Sequence, residues 1–204
     1  SKLYMIFAET LLELLGEEKS SIISAVEYNL AVLYGQFGVY DKAIEHVSKC
    51  IDMEEENQFS KSLLGSAYFH QGYVYYYLFE DEMAMRSYLR AYEIRKGLKN
   101  KKEIAETTSS LALLFQGMGS EKEGESRARK EFFLQAKKYQ EEAVKIFEKI
   151  FFGKPHPNLA SSYNTSAVIE YSLGNYEKAV YYYGKAWSIR TGRKDISPND
   201  LSVT

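Results

Sequence analysis

Small residues recur in this chain at a spacing that suits paired helices. Ala31, Ala43 and Cys50 are separated by 12 and then 7 positions. Gly72, Ala84 and Ala91 repeat that spacing inside "GYVYYYLFEDEMAMRSYLRAYEI", and Ala167, Ala179 and Ala186 repeat it inside "AVIEYSLGNYEKAVYYYGKAWSI". A large residue follows the second marker by four each time: Val47, Tyr88 and Tyr183. Met53, Ile94 and Ile189 follow the third marker by three. Gly38 and Gly174 fall seven after the first marker, where a turn is due, and Phe79 takes that slot in the second copy.

Close packing explains the pattern. Residues at helical spacing share one face. A small residue on that face lets a neighbouring helix approach, and an aromatic ring from the partner fills the space beside it. The chain is stocked for this, with 18 tyrosines and 11 phenylalanines among 204 residues. Its three prolines stand at 155, 157 and 198, so nothing before them bars a helix. A helical hairpin cannot bury both faces alone, and stacking the next hairpin buries the rest.

In order and type, these small, aromatic and glycine positions resemble the tetratricopeptide repeat. The resemblance covers roughly residues 24 to 190. It implies an all-α, right-handed superhelical solenoid of antiparallel helix pairs. Ala31 to Gly72 spans 41 positions and Gly72 to Ala112 spans 40, longer than the usual 34. "GKPHPNLASSYNTSA" and "NLAVLYG" are similar to the connector and first helix of the longer repeats in kinesin light chains. Asn29 matches the second residue of that family's Asn pair and Asn164 the first.

The third copy departs from the rest. Ala112 is its first marker, with Phe115 inside and Gly119 at the expected turn; Ala136, Ala143 and Ile146 keep the later spacing. This phase leaves about 12 residues inserted between its helices, around 120–132, reading "SEKEGESRARKEF". The insert is charged on every side, with Glu123–Arg127 and Glu125–Arg129 at a favourable ion-pair spacing. One elongated second helix, roughly 121–151, is expected. The insert is either a tolerated excursion at a loop edge or a docking spur for a partner. The expected divisions are a capping or truncated-repeat helix at 1–20, repeats at 21–60, 61–101, 102–154 and 155–191, and a connector or tail at 192–204 leading towards a further repeat.

No constellation for catalysis or for a cofactor is present, and none is expected. His46, His70 and His156 share no spacing; His46 is expected on the outer face of its helix and His156 in a structural connector. Cys50, the lone cysteine, is expected to be a packed, inert thiol. Glu54, Glu55 and Glu56 read as a solvated helix tip. A net charge of −2 gives no basic excess for nucleic acid. No apolar run approaches the ~20 residues that span a bilayer, and a cytoplasmic location is expected.

The resemblance implies a groove lined by first helices. Counted from the markers, its candidate residues are Asn29, Val32, Gln36, Phe69, His70, Tyr73, Tyr77, Gln116, Asn164 and Tyr171. The set lacks Lys and Arg, so a carboxylate clamp is not expected. Aromatic walls with amide donors suit a short extended peptide or a partner domain. The expected function is an adaptor-like protein-interaction scaffold that is not an enzyme. The alternative is a self-associating segment of a larger repeat protein.

Overall fold

A computed structural model describes residues 6, 10, 12, 20–122, 124, 127–152 and 154–192. Every regular element among the described residues is helical. The chain divides into two units, Ser1–Lys99 and Asn100–Thr204. The first holds α1 (Ser21–Gln36), α2 (Tyr40–Asn57), α3 (Lys61–Tyr77) and α4 (Asp81–Gly97). The second holds α5 (Lys101–Ser120), α6 (Arg127–Phe151), α7 (Pro157–Ser172) and α8 (Tyr176–Thr191). In each unit consecutive helices pack as two hairpins, and the first helices of the two hairpins also touch. Most of the expected segment 1–20, and the tail after residue 192, lie outside the described residues.

Local chemistry starts and stops these helices. Ser20, Ser60 and Asn100 accept, through their side chains, from the backbone N–H three residues on, at 3.3, 3.2 and 3.4 Å. These caps satisfy donors that have no partner within the helix. At the start of α7, His156 Nδ1 accepts from Asn158 N at 3.1 Å and Pro157 takes the first helical position. The His156 ring also stacks on Phe151, giving the connector its structural role. The turns inside three hairpins share one motif. Val39, Glu80 and Asn175 each donate a backbone N–H to the carbonyl five residues back, at 2.9, 3.0 and 2.8 Å. The residue before each is left-handed: Gly38 at φ 72°, Phe79 at 59° and Gly174 at 80°. Phe79 therefore adopts a glycine conformation with its side chain 85% exposed.

The marker residues form the seams. Ala31, Ala43, Cys50, Ala84 and Ala91 are fully buried in the first unit, as are Ala112, Ala136, Ala143 and Ala167 in the second. Gly72 shows why the position must be small: a Cβ there would lie 2.7 Å from Cδ1 of the buried Tyr88 ring. In the first copy Ala31 and Val47 join one apolar cluster with Cys50, Ile51 and Ala67. Burial pushes the Cys50 thiol up to about 11. Tyr183 differs from Val47 and Tyr88 in being 42% exposed.

Two polar side chains read as surface groups are inside instead. His46 is buried against α1, with Nδ1 at 2.6 Å from Glu27 Oε2 and its ring stacked on Tyr34. Glu54 is 1% exposed; it accepts from Ser24 Oγ at 2.6 Å and from Ser60 N at 2.7 Å. The reason in both cases is a polar partner on a neighbouring segment, which lets a polar side chain leave water. Glu54 ties α1 and the start of α3 to α2 by these bonds.

The third copy has the elongated second helix, 25 residues against 16 to 18 in its counterparts. It starts at Arg127 rather than near 121. Gly119 is not the turn residue. It lies inside α5, where a Cβ would meet the Phe133 ring at 3.1 Å and Phe132 Cβ at 3.3 Å. Close approach to these rings lets α5 run on to Ser120, and the left-handed glycine is Gly124 at φ 68°. Glu123 and Glu125, the acidic halves of the expected ion pairs, lie outside the described residues.

Candidate functional site

The first-helix face of the first unit is built from aromatic rings. Tyr28 meets His70 edge-on at 6.3 Å, and His70 stacks on Tyr73 at 5.6 Å. Tyr73 contacts Tyr77 at 4.7 Å, and Tyr77 stacks on Tyr40 at 5.7 Å and takes Tyr76 edge-on at 5.5 Å. Six rings thus run continuously from α1 across α3 to the start of α2. They sit on one face because Tyr73, Tyr76 and Tyr77 are spaced by a helical turn. Tyr77 is 46% exposed, and Tyr73 and Tyr76 are half-buried. Burial, and then the neighbouring Tyr77 phenol, push the Tyr73 hydroxyl's pKa up; burial does the same first for Tyr76. These hydroxyls stay protonated in neutral solution, with that of Tyr73 hydrogen-bonded to Tyr77.

The slots counted from the markers do not all face outward. His70 is turned into the α1–α3 contact, where its Nε2–H donates to the Ala31 carbonyl at 2.9 Å. Gly35 makes room for it, since a Cβ there would lie 3.0 Å from His70 Nε2. Burial pulls the His70 pKa down. Thr165, in the same slot of the fourth copy, is also buried. Asn29 fills this slot in the first copy, is exposed, and makes no side-chain hydrogen bond among the described residues. Phe69 faces α4: its ring lies 5.5 Å from Tyr88 and 4.3 Å from the Arg95 guanidinium. Val32 is half-buried and Gln36 exposed, both on α1.

In the second unit Gln116 and Asn164 are half-buried, while Tyr171 is 62% exposed and meets Tyr176 edge-on at 5.4 Å. Counting from markers missed Tyr40 and Tyr176, which complete these aromatic contacts. The signal was present: both stand nine after a first marker. It was passed over because the count followed first helices alone.

Among the described residues no group of three His, Cys, Asp or Glu is placed to hold a metal ion. No helix among them is long and apolar enough to cross a membrane. What the two units offer is stacked helical hairpins with aromatic rings and amides at the surface, which defines an interaction scaffold of repeated helix pairs.

Tetratricopeptide repeat profiles match residues 103–191, and also 28–57 and 65–97. The chain belongs to the tetratricopeptide repeat family, whose repeats generally mediate protein–protein binding. The crystal structure of BtubC (BKLC) from P. vanneervenii is similar with a TM-score of 0.74 at 19% identity, over 90% of this chain and 69% of that one. Apo RapI gives 0.75 at 17% identity, over 94% of this chain and 48% of that one, so this chain spans about half of RapI. MamA gives 0.64 at 17% identity, over 93% and 88%. At these identities the likeness is one of fold. No curated protein matches the chain in sequence.

Proposed function

We propose that the chain is a cytoplasmic, adaptor-like scaffold that binds a short extended peptide along the tyrosine face of α1 and α3. The observation that carries this reading is the continuous run from Tyr28 to Tyr40, which includes the half-exposed Tyr77. Rings held by stacking are pre-ordered, so little side-chain entropy is lost when a ligand covers them. Tyrosine is a frequent anchor at interfaces because it pairs apolar area with a donor. Val32 and Gln36 stand on α1 with Tyr28, and Asn29 offers an unpartnered amide to a peptide backbone. His70 holds the face from beneath, whereas Phe69 packs on α4. In the second unit Gln116, Asn164 and Tyr171 form a separate candidate contact patch.

Peptide display against the immobilised protein, followed by titration of the selected sequences, tests this. Tyr77→Ala should weaken binding by about tenfold or more, as loss of an interface anchor does, while Gln36→Ala, which removes an exposed side chain, should weaken it with the thermal midpoint nearly unchanged. Selected peptides indifferent to Tyr77→Ala, Gln36→Ala and Asn29→Ala would remove the tyrosine face from consideration. Light scattering against concentration tests the competing self-association reading, which requires growth in mass.

A further inference from the structure

The elongated α6 creates a second surface that the tyrosine face does not include. α6 has 25 residues and packs against α7, which has 16. At about 1.5 Å per residue the longer helix exceeds its neighbour by roughly 13 Å. The start of α6 therefore overhangs the turn between α7 and α8, and the step encloses a cleft of about 570 Å³. That volume lies within the usual range for ligand pockets. Arg127, Arg129 and Lys130 form one wall and the exposed rings of Tyr171 and Tyr176 the opposite rim, with Phe133 buried beneath. Among the described residues the lining includes no carboxylate.

Two observations set Arg127 and Lys130 apart from the ion pairs between the helices. Arg127 and Lys130 are exposed and make no ion pair among the described residues. They also stand in the first turn of α6, which has no acidic residue. Cations there oppose the helix dipole, which favours negative charge at the start of a helix. Arg129 is partly engaged: Nη1 donates to the Gly124 carbonyl at 3.1 Å, and the guanidinium lies 5.6 Å from the Phe133 ring. Its position over the ring covers Phe133 and sets the guanidinium at the base of the wall.

We propose that this ledge docks an acidic peptide segment of a partner protein, carboxylates against Arg127 and Lys130 and an apolar side chain against the exposed rings of Tyr171 and Tyr176. Charge complementarity selects the occupant, and an anion there also offsets the unfavourable dipole. A peptide fits better than a nucleic acid because the basic wall is one short cluster in a chain of net charge −2. A polyanion needs a track of cations.

The test uses the full chain and a fluorescein-labelled peptide of alternating glutamate and leucine, read by anisotropy at low and high salt. Controls are the glutamine–leucine counterpart and a single-stranded DNA oligomer. The acidic peptide should bind, and Arg127→Glu with Lys130→Glu should weaken it roughly tenfold at low salt, an effect that shrinks as salt screens the charges. Lys145→Glu with Lys149→Glu, at the far end of the same helix, should leave binding nearly unchanged. The first pair should not lower the thermal midpoint, because acidic residues at a helix start suit the dipole. Equal binding of the glutamine peptide, equal loss in both pairs of variants, or tighter binding of DNA would each overturn the proposal. Peptides selected for the tyrosine face should be insensitive to Arg127→Glu, which keeps the two surfaces distinguishable.

Discussion

Replacing Gly72 by alanine should destabilise the first unit, although alanine is the better helix former. The substitution gains about 1 kcal/mol in helix propensity. Against this, the new Cβ would lie 2.7 Å from Cδ1 and 2.9 Å from Cε1 and Cγ of Tyr88, where carbon contacts are comfortable at about 3.5–4.0 Å. The Tyr88 ring is 3% exposed and packed on Phe69, so it has no free space to take. Overpacking of this kind costs about 1–3 kcal/mol, and three ring atoms inside 3.0 Å place it in the upper part of that range. The net loss is about 1–2 kcal/mol, or a fall in Tm of roughly 2–8 °C for a chain of this size. Tyr88→Val alone should destabilise by opening a cavity. In that background, however, Gly72→Ala should stabilise by about 1 kcal/mol, because the pair then matches Ala31 and Val47 of the first copy. Urea and thermal unfolding followed by far-ultraviolet circular dichroism would give a coupling of about 2–3 kcal/mol between the sites. If Gly72→Ala stabilised both backgrounds equally, the small-residue argument would be refuted at the position where it is most explicit.

Phe79→Gly should stabilise by about 0.5–1 kcal/mol in the same assay, because relief of the left-handed backbone exceeds the added chain entropy, whereas Gly38→Ala should do the reverse. Glu54→Ala should cost about 2–4 kcal/mol, since it leaves the Ser24 hydroxyl and the Ser60 N–H without their acceptor; a loss under 1 kcal/mol would show that water replaces the carboxylate. Burial holds the His70 pKa below its ordinary 6.5, so below that pH the unfolded chain binds the extra proton and stability falls as pH drops. Wild type should therefore lose its advantage over His70→Gln on acidification through that window in urea titrations, and a gap that widens there would contradict the buried-neutral assignment.

The fold was legible because its main constraint is local and periodic. Ala31, Gly72, Ala112 and Ala167 are visible as small residues at fixed intervals, and the structure buries all four. Pairwise chemistry was not legible in the same way. His46 and Glu54 look like surface groups until Glu27, Ser24 and Ser60 are brought beside them by the hairpin. Gly119 looked like a turn glycine because sequence position alone does not separate φ freedom from close approach. The face was legible through Tyr73 and Tyr77. The assignments of His70 and Phe69 depended on which neighbour each slot meets, and that follows from stacking rather than from spacing.

Cys50 carries one further consequence. The only sulfhydryl in the chain is sealed among α1, α2 and α3 and held as the neutral thiol. A thiol reagent can reach it only when that packing parts, so its labelling rate is an intrinsic clock for breathing of these three helices. Ligands gripping α1 and α3 together should slow that clock, which provides a readout of occupancy without any attached dye.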